Sequence, residues 1–383
     1  MAACTQERLS RSERYVVPSQ PGPGEVRTVT EGMAAVPREA TSVRLGRTLD
    51  IGWSGRALPL VSPDGTRMVV EAASSIPVAT RLGDPPPAEG IDAELDIVSL
   101  AEGDAGAPVG TVRGAWILGR SASGAGFPLE RPRPDGSRDI AFCDWRGRIR
   151  TVASDGWCNA HAAAADGGLL AWSRRQPEGG DWRLVVRRGT EVRVLDAPAG
   201  TGMLAPLFSG DGRGIFAIEV RGSAATLAWL PFGEDGLPDR AAAGGPGALR
   251  TPLTANGNLS WALRATDPGA GGRGSRPGSG NLLLWNPDVG RMLAWLPGSA
   301  PEPLMEGSMA AVEAGGGNVL VTAGDAVYRE RAGTAVTPSL ALDGAWVLQP
   351  LTGAAGRFVA IRPANGRLRV ATATFGATGD ETR

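Results

Sequence analysis

Six stretches of the chain repeat one pattern: a turn rich in Gly, Asp or Asn, followed at once by a short apolar run. Ser62-Pro63-Asp64-Gly65 leads into Met68-Val69-Val70, Asp166-Gly167-Gly168 into Leu169-Leu170-Ala171-Trp172, and Asp211-Gly212 into Ile215-Phe216-Ala217-Ile218. Asn256-Gly257 leads into Leu259-Ser260-Trp261-Ala262, Gly315-Gly316-Gly317 into Val319-Leu320-Val321, and the segment from Gly353 to Gly356 into Phe358-Val359-Ala360-Ile361. Asp166, Asp211 and Asn256 are spaced by 45 and 45 residues. Turn residues that tolerate unusual backbone angles, placed before a β-prone run, mark the entry to a strand. Their return at a fixed interval marks a unit that cannot bury its apolar face alone and stacks on copies of itself.

A period of about 40–45 residues holding several short strands is the signature of a β-propeller. The expected fold is therefore all-β. The span 41–376 holds about seven four-stranded blades, with six or eight as the neighbouring counts, because residues 100–130 scan poorly. Glycine (56) and proline (30) are both abundant, as many tight turns require. Residues 1–40 are polar and carry Pro18, Pro21, Pro23 and Pro37, which reads as an N-terminal tether, and 377–383 read as a polar tail. The last blade owns three strands, starting at Trp346, Phe358 and Leu368. An N-terminal strand within Val43–Leu49 is expected to supply the fourth and close the ring, which removes exposed sheet edges. Within the body, Ile140–Cys143, Arg148–Val152 and Trp157-Cys158 read as three strands of one blade.

Charge narrows the partners. Basic residues (39) balance acidic ones (40), which argues against a nucleic-acid partner or a strongly anionic membrane surface. Every basic side chain other than the single histidine is an arginine, so neither a Schiff-base lysine nor a phosphate-loop lysine is available. The histidine, His161, excludes a histidine-rich metal site and reads as a loop or strand-edge residue beside Asn159. No apolar run reaches the ~18 residues of a membrane span.

Three cysteines are too few for a disulfide scaffold. Cys143 and Cys158 fall in the same expected blade and are candidates for one disulfide in an oxidising compartment; two buried free thiols are the other reading. Met1-Ala2-Ala3-Cys4 resembles the end of a bacterial lipoprotein signal, which makes Cys4 a lipidation candidate and implies a cell-envelope or periplasmic location, with a cytoplasmic one as the alternative. Eleven tryptophans are spread over the units, and packing between blades is their expected role, with carbohydrate stacking the functional alternative.

Ser62-Pro63-Asp64-Gly65-Thr66-Arg67 before Met68-Val69-Val70, with Glu94 to Leu100 some thirty residues on, resembles the repeat of TolB-like and WD-repeat-like β-propellers, as does Phe208-Ser209-Gly210-Asp211-Gly212. No Trp-Asp pair ends the repeats, which disfavours the WD subfamily itself. The resemblance implies the fold and, in bacteria, an interaction module of the cell envelope or a scaffold domain of an enzyme. It carries no functional residue beyond the turn-forming Asp and Gly.

Motifs that would announce chemistry lack their context. Gly269-Ala270-Gly271-Gly272-Arg273-Gly274 matches the dinucleotide fingerprint but sits in low-complexity sequence without the strand-to-helix setting. No Gly-x-Ser-x-Gly elbow occurs. Asp92, Glu94 and Asp96 alternate along a strand and share a face, where a hard cation or, more simply, solvent would meet them. Arg146, Arg148 and Arg150 alternate likewise and are the anion-site candidates. No catalytic, cofactor-binding or metal residue is assigned, and no cofactor is expected. The favoured reading is a non-catalytic module that engages a protein, peptide or glycan through loops at one face of the ring. The alternative is a propeller hydrolase or lyase acting on saccharides with carboxylates at the channel mouth.

Overall fold

The computed structural model describes residues 41–53, 59–74, 93–101, 105–116, 121–195, 197, 199–209, 212–222 and 224–238. It also describes Leu351 and the strands named below between 249 and 377. The first strand is β1 (Thr41–Gly52). A first fan follows: β2 (Leu60–Val61), β3 (Arg67–Ser74), β4 (Ala93–Ser99) and β5 (Pro108–Arg113), hydrogen-bonded in that order. The second holds β6 (Gly126–Pro132), β7 (Arg138–Asp144) and β8 (Ile149–Ala153), with Trp116 bridged to Glu130 on its inner side. The third is β9 (Cys158–Ala165), β10 (Leu169–Gln176), β11 (Gly179–Arg188) and β12 (Glu191–Leu195). A single parallel bridge between Arg138 and Cys158 links these two fans.

The fourth fan is β13 (Gly202–Phe208), β14 (Gly214–Arg221), β15 (Ala224–Pro231) and β16 (Leu249–Pro252); the fifth is β17 (Arg264–Ala265), β18 (Leu282–Asn286), β19 (Arg291–Trp295) and β20 (Glu302–Pro303). The sixth comprises β21 (Ser308–Gly315), β22 (Asn318–Ala323), β23 (Ala326–Arg331) and β24 (Thr337–Ala341). The seventh joins β25 (Val347–Pro350), β26 (Arg357–Ala364) and β27 (Arg367–Ala377) to β1, in the order β1-β27-β26-β25. The N-terminal strand thus completes the last fan, pairing Leu49 with Val370 and Ile51 with Leu368.

Burial explains the radial order. The strand β13, the first five residues of β6 and the first half of β10 are buried, whereas the last strands β5, β8 and β12 are largely exposed. Strands covered on both faces can be continuously apolar, and a rim strand cannot. Each fan rests on the next. Met68, Val70 and Val98 of the first fan meet Ile361, Leu368 and Val370 of the seventh. Val69, Leu95 and Ile97 of the first meet Phe127, Leu129 and Cys143 of the second. Ile140 and Phe142 of the second meet Leu170, Trp172 and Val185 of the third. Leu184, Val186 and Met203 join the third to the fourth. These contacts run from the seventh fan through the first, second and third to the fourth, and the fold is the expected β-propeller.

The repeated turn has one structural address. It joins the innermost strand of a fan to the second: Ser62–Gly65 lies between β2 and β3, and Asp166–Gly168 between β9 and β10. Gly212 precedes β14, and Gly315 ends β21; the Gly316-Gly317 and Gly353–Gly356 turns lie outside the described residues. The Asn256-Gly257 turn and its run to Ala262 lie outside the described residues. In the first fan the Ser62 hydroxyl donates to Asp64 Oδ1 (2.5 Å) and accepts the Arg67 N–H (2.9 Å), while Asp64 Oδ1 also takes the Thr66 N–H at 3.0 Å. These bonds fix the reversal with groups local to the turn and the first residue of β3.

Two expectations are corrected. Trp157-Cys158 does not close the second fan: Cys158 opens the innermost strand of the third. The second fan's own inner strand is reduced, among the described residues, to the Trp116 bridge, which is why residues 100–130 scan poorly. Trp53, Trp116, Trp145, Trp172, Trp182 and Trp229 are buried, in keeping with packing between fans.

Candidate functional site

At one end of each fan the innermost strand begins, the second ends and the third starts; this is termed the upper end. Polar and aromatic side chains gather there on fans two and three. The inner strand β9 is bulged, since Ala163 pairs with Ala171 and Ala160 with Ser173, so His161 and Ala162 together oppose Trp172. His161 takes a left-handed backbone (φ 57°), and Ala205, the fourth residue of β13, does the same (φ 52°) at the same kind of register shift. A left-handed non-glycine residue costs on the order of 1–2 kcal/mol and persists only when its surroundings hold it.

Glu130 does the holding at His161. Its Oε1 accepts the His161 N–H at 2.6 Å, the Ala162 N–H also points to this carboxylate, and its Oε2 lies 3.4 Å from Arg138 Nη1. The carboxylate is wholly buried. Burial raises its pKa, while Arg138 and the two backbone N–H groups pull the other way. Burial likewise lowers the Arg138 guanidinium, against the pull of Glu130 and Cys158. Arg138 lies over the Trp116 ring (4.9 Å), and its carbonyl accepts Asn159 Nδ2 at 2.8 Å. Trp172 Nε1 donates to Asn159 Oδ1 at 2.9 Å. Glu130 therefore ties β6 to the bulge of β9 and stands out of reach of a ligand.

Outward from this lock, guanidinium groups cover tryptophan rings. Arg174 and Arg183, directly opposite each other on β10 and β11, lie over Trp157 at 4.6 and 5.9 Å. Like charges in that register repel; the Trp157 ring and Asp155, 3.5 Å from Arg174, offset this. Asp155 is itself held by the Trp157 N–H (3.2 Å) and Asn159 Nδ2 (2.9 Å). On the other side of the same fan, Arg175 lies over Trp182 (4.8 Å), whose ring makes an edge-type contact with the His161 ring at 6.1 Å. The result is a half-buried surface of planar cations backed by aromatic rings, with Glu178 and Asp181 exposed beside it. Among the described residues no group of three His, Cys, Asp or Glu side chains could hold a metal ion.

The residues singled out from sequence fall elsewhere. Arg146 and Arg148 sit in the turn before β8 rather than on it; Arg148 pairs with Asp144 (2.9 Å), and Arg150, on β8, covers the Phe142 ring (4.9 Å). All three are exposed on the outer rim, so they share neither a strand nor a pocket. Cys143 and Cys158 are free, buried thiols, which corrects the disulfide candidate. Cys158 stands beside Arg138 at one end of β7, and Cys143 lies five residues further along, about 16 Å away at strand spacing, beyond any disulfide reach. Burial pushes the Cys143 thiol up to about 12, and raises Cys158 against the pull of Arg138 and Arg175. Glu94 pairs with Arg113 and Asp96 accepts the Thr111 hydroxyl, each at 2.9 Å; Asp92, like Cys4 and the Gly269–Gly274 motif, lies outside the described residues. No sequence signal pointed to Arg174, Arg175 or Arg183, because only the bulge and the register bring them over their tryptophans.

No protein-family model matches the chain, and no curated protein matches it. Among solved structures it is similar to the Dos1 propeller, at 8% identity over 86% of this chain and 95% of that chain, with a TM-score of 0.51. It is also similar to a virginiamycin B lyase from Staphylococcus aureus (8% identity, 86% and 99% covered, TM-score 0.45). A third similarity is to TolB from Acinetobacter baumannii (18% identity, 52% and 43% covered, TM-score 0.33). At these identities the likeness to the Dos1 propeller speaks for the fold alone.

Proposed function

We propose that this β-propeller is a non-catalytic binding module that engages a protein or peptide partner through the upper end of its second and third fans. The observation that carries this reading is the set of guanidinium-on-tryptophan stacks outward from the Glu130 lock: Arg174 and Arg183 on Trp157, and Arg175 on Trp182. Arginine and tryptophan are the residue types that dominate protein-binding surfaces. A glycan would need open ring faces to stack on, and these faces carry guanidinium groups, so a protein or peptide is the better fit. The enzymatic alternative finds its strongest support in Glu130, whose pKa burial raises. That carboxylate is committed to Arg138 and two backbone N–H groups and has no exposed surface.

Placement at the cell envelope through lipidation of Cys4 belongs to the same proposal and is tested by the mass of the mature N-terminus. The binding reading is tested by capture from an envelope extract with the wild type, R174E/R183E and R150E. The expected result is a partner retained by the wild type and R150E and lost by R174E/R183E. Equal retention by all three would contradict it.

A further inference from the structure

Arg175 differs from every other half-buried arginine among the described residues. Arg174 has Asp155, Arg193 has Glu191 and Asp235, Arg187 has two carbonyls, and Arg67 has the Thr66 carbonyl and the Ser99 hydroxyl. Arg362 is engaged as well. Arg175 has a ring and a thiol: Trp182 under its guanidinium at 4.8 Å, and Cys158 opposite it in the ladder. Its Nε–H is buried without an acceptor. A thiol that keeps its proton is no counter-ion, and a cation drawn halfway out of water without one carries an uncompensated desolvation cost.

We propose that Arg175 is the receptor for a carboxylate of the partner, an Asp or Glu side chain in an acidic peptide segment, seated where Trp182 backs the guanidinium. The inference rests on the binding-module reading and names the chemistry of its partner. A planar guanidinium offers a fork of N–H donors that a carboxylate matches bidentately. Asp155 on Arg174, one residue away, shows the same end of the fan already accepting a carboxylate. A uronate sugar would lack a ring to stack on, since Trp182 is 7% exposed and lies under Arg175.

The test is fluorescence anisotropy of a fluorescein-labelled hexaglutamate peptide with the full chain at low ionic strength. Binding should weaken at least about tenfold in R175Q and about threefold in R175K, and stay within about twofold in R150Q. R175K keeps the charge and most of the packing, so it decides the matter if R175Q fails to fold. Wild-type affinity in R175K and R175Q overturns the proposal, as does absence of hexaglutamate binding. Tighter, Arg175-dependent binding of a dT12 oligonucleotide or a galacturonate oligomer overturns it too. A captured envelope partner that is lost in R174E/R183E but retained in R175Q would leave the module standing and remove Arg175 from its site.

Discussion

The backbone N–H of His161 donates to the carboxylate of Glu130 at 2.6 Å, across the boundary between the third fan and the second. The bulge in β9 takes two amides out of their ladder, and a buried side chain of the neighbouring fan receives them. Glu130→Leu should therefore cost about 3–5 kcal/mol in urea unfolding, since it strands both amides and leaves Arg138 without its countercharge. Glu130→Gln keeps an acceptor for the amides and should recover most of that loss. Equal stability of the Leu variant and the wild type would show that the bulge is held by something else.

Acid and base act on the same residue with a definite sign. Burial raises the folded-state pKa of Glu130 above its ordinary 4.5, so folding takes up a proton through this group. Its contribution is complete below 4.5 and is lost as pH rises through the raised value. Wild-type stability relative to E130Q should accordingly fall as pH rises across that window, read from urea midpoints at successive pH values. A difference that grows with pH would mean that Arg138 and the amides outweigh burial.

Asp64 should behave in the opposite sense. Burial pushes its carboxyl up, but hydrogen bonds from Ser62 and Thr66, with help from Arg67, bring it below the ordinary 3.8. Its contribution is present above 3.8 and is lost as pH falls through the lowered value. Asp64→Ala should cost about 1 kcal/mol at neutral pH and nothing in strong acid, measured by thermal melts at both. A cost that persists in acid would assign the loss to packing.

Thiol chemistry distinguishes the two readings of the cysteines. Neither Cys143 nor Cys158 should react with an aromatic disulfide reagent at pH 8 in the native protein, and both should react after denaturation. Peptide mapping that joins Cys143 to Cys158 would contradict the placement of Cys158, at the start of β9, beside the end of β7 opposite to Cys143.

Much of the architecture was legible in the turns, because Ser62 and Asp64 fix their reversal with local hydrogen bonds that sequence displays directly. The inner part of the second fan escaped notice for the converse reason. Its turn has no Asp of its own, and Gly124 instead donates to Asp166 of the third fan at 2.7 Å, 42 residues away. The lone histidine, expected at a loop or strand edge, lies on an innermost strand because the bulge, which no propensity announces, leaves room for it there. The arginine–tryptophan surface was illegible for a related reason: Arg175 and Trp182 meet through cross-strand register, and the alternation of Arg146, Arg148 and Arg150 gave no hint that a turn breaks their strand. Sequence shows what a residue can do, and register decides what it touches.

Ring closure is the claim on which everything else depends, and the most direct test joins the first strand to the last. Asp50 and Arg369 face each other across β1 and β27, with Asp50 Oδ1 3.5 Å from Arg369 Nε. In Asp50→Cys/Arg369→Cys, mild oxidation should form this cross-link in the folded protein and raise its melting temperature, because the bond closes a loop that spans nearly the whole ring. Failure of the two cysteines to join without prior unfolding, or a cross-link that lowers the melting temperature, would contradict the closed propeller.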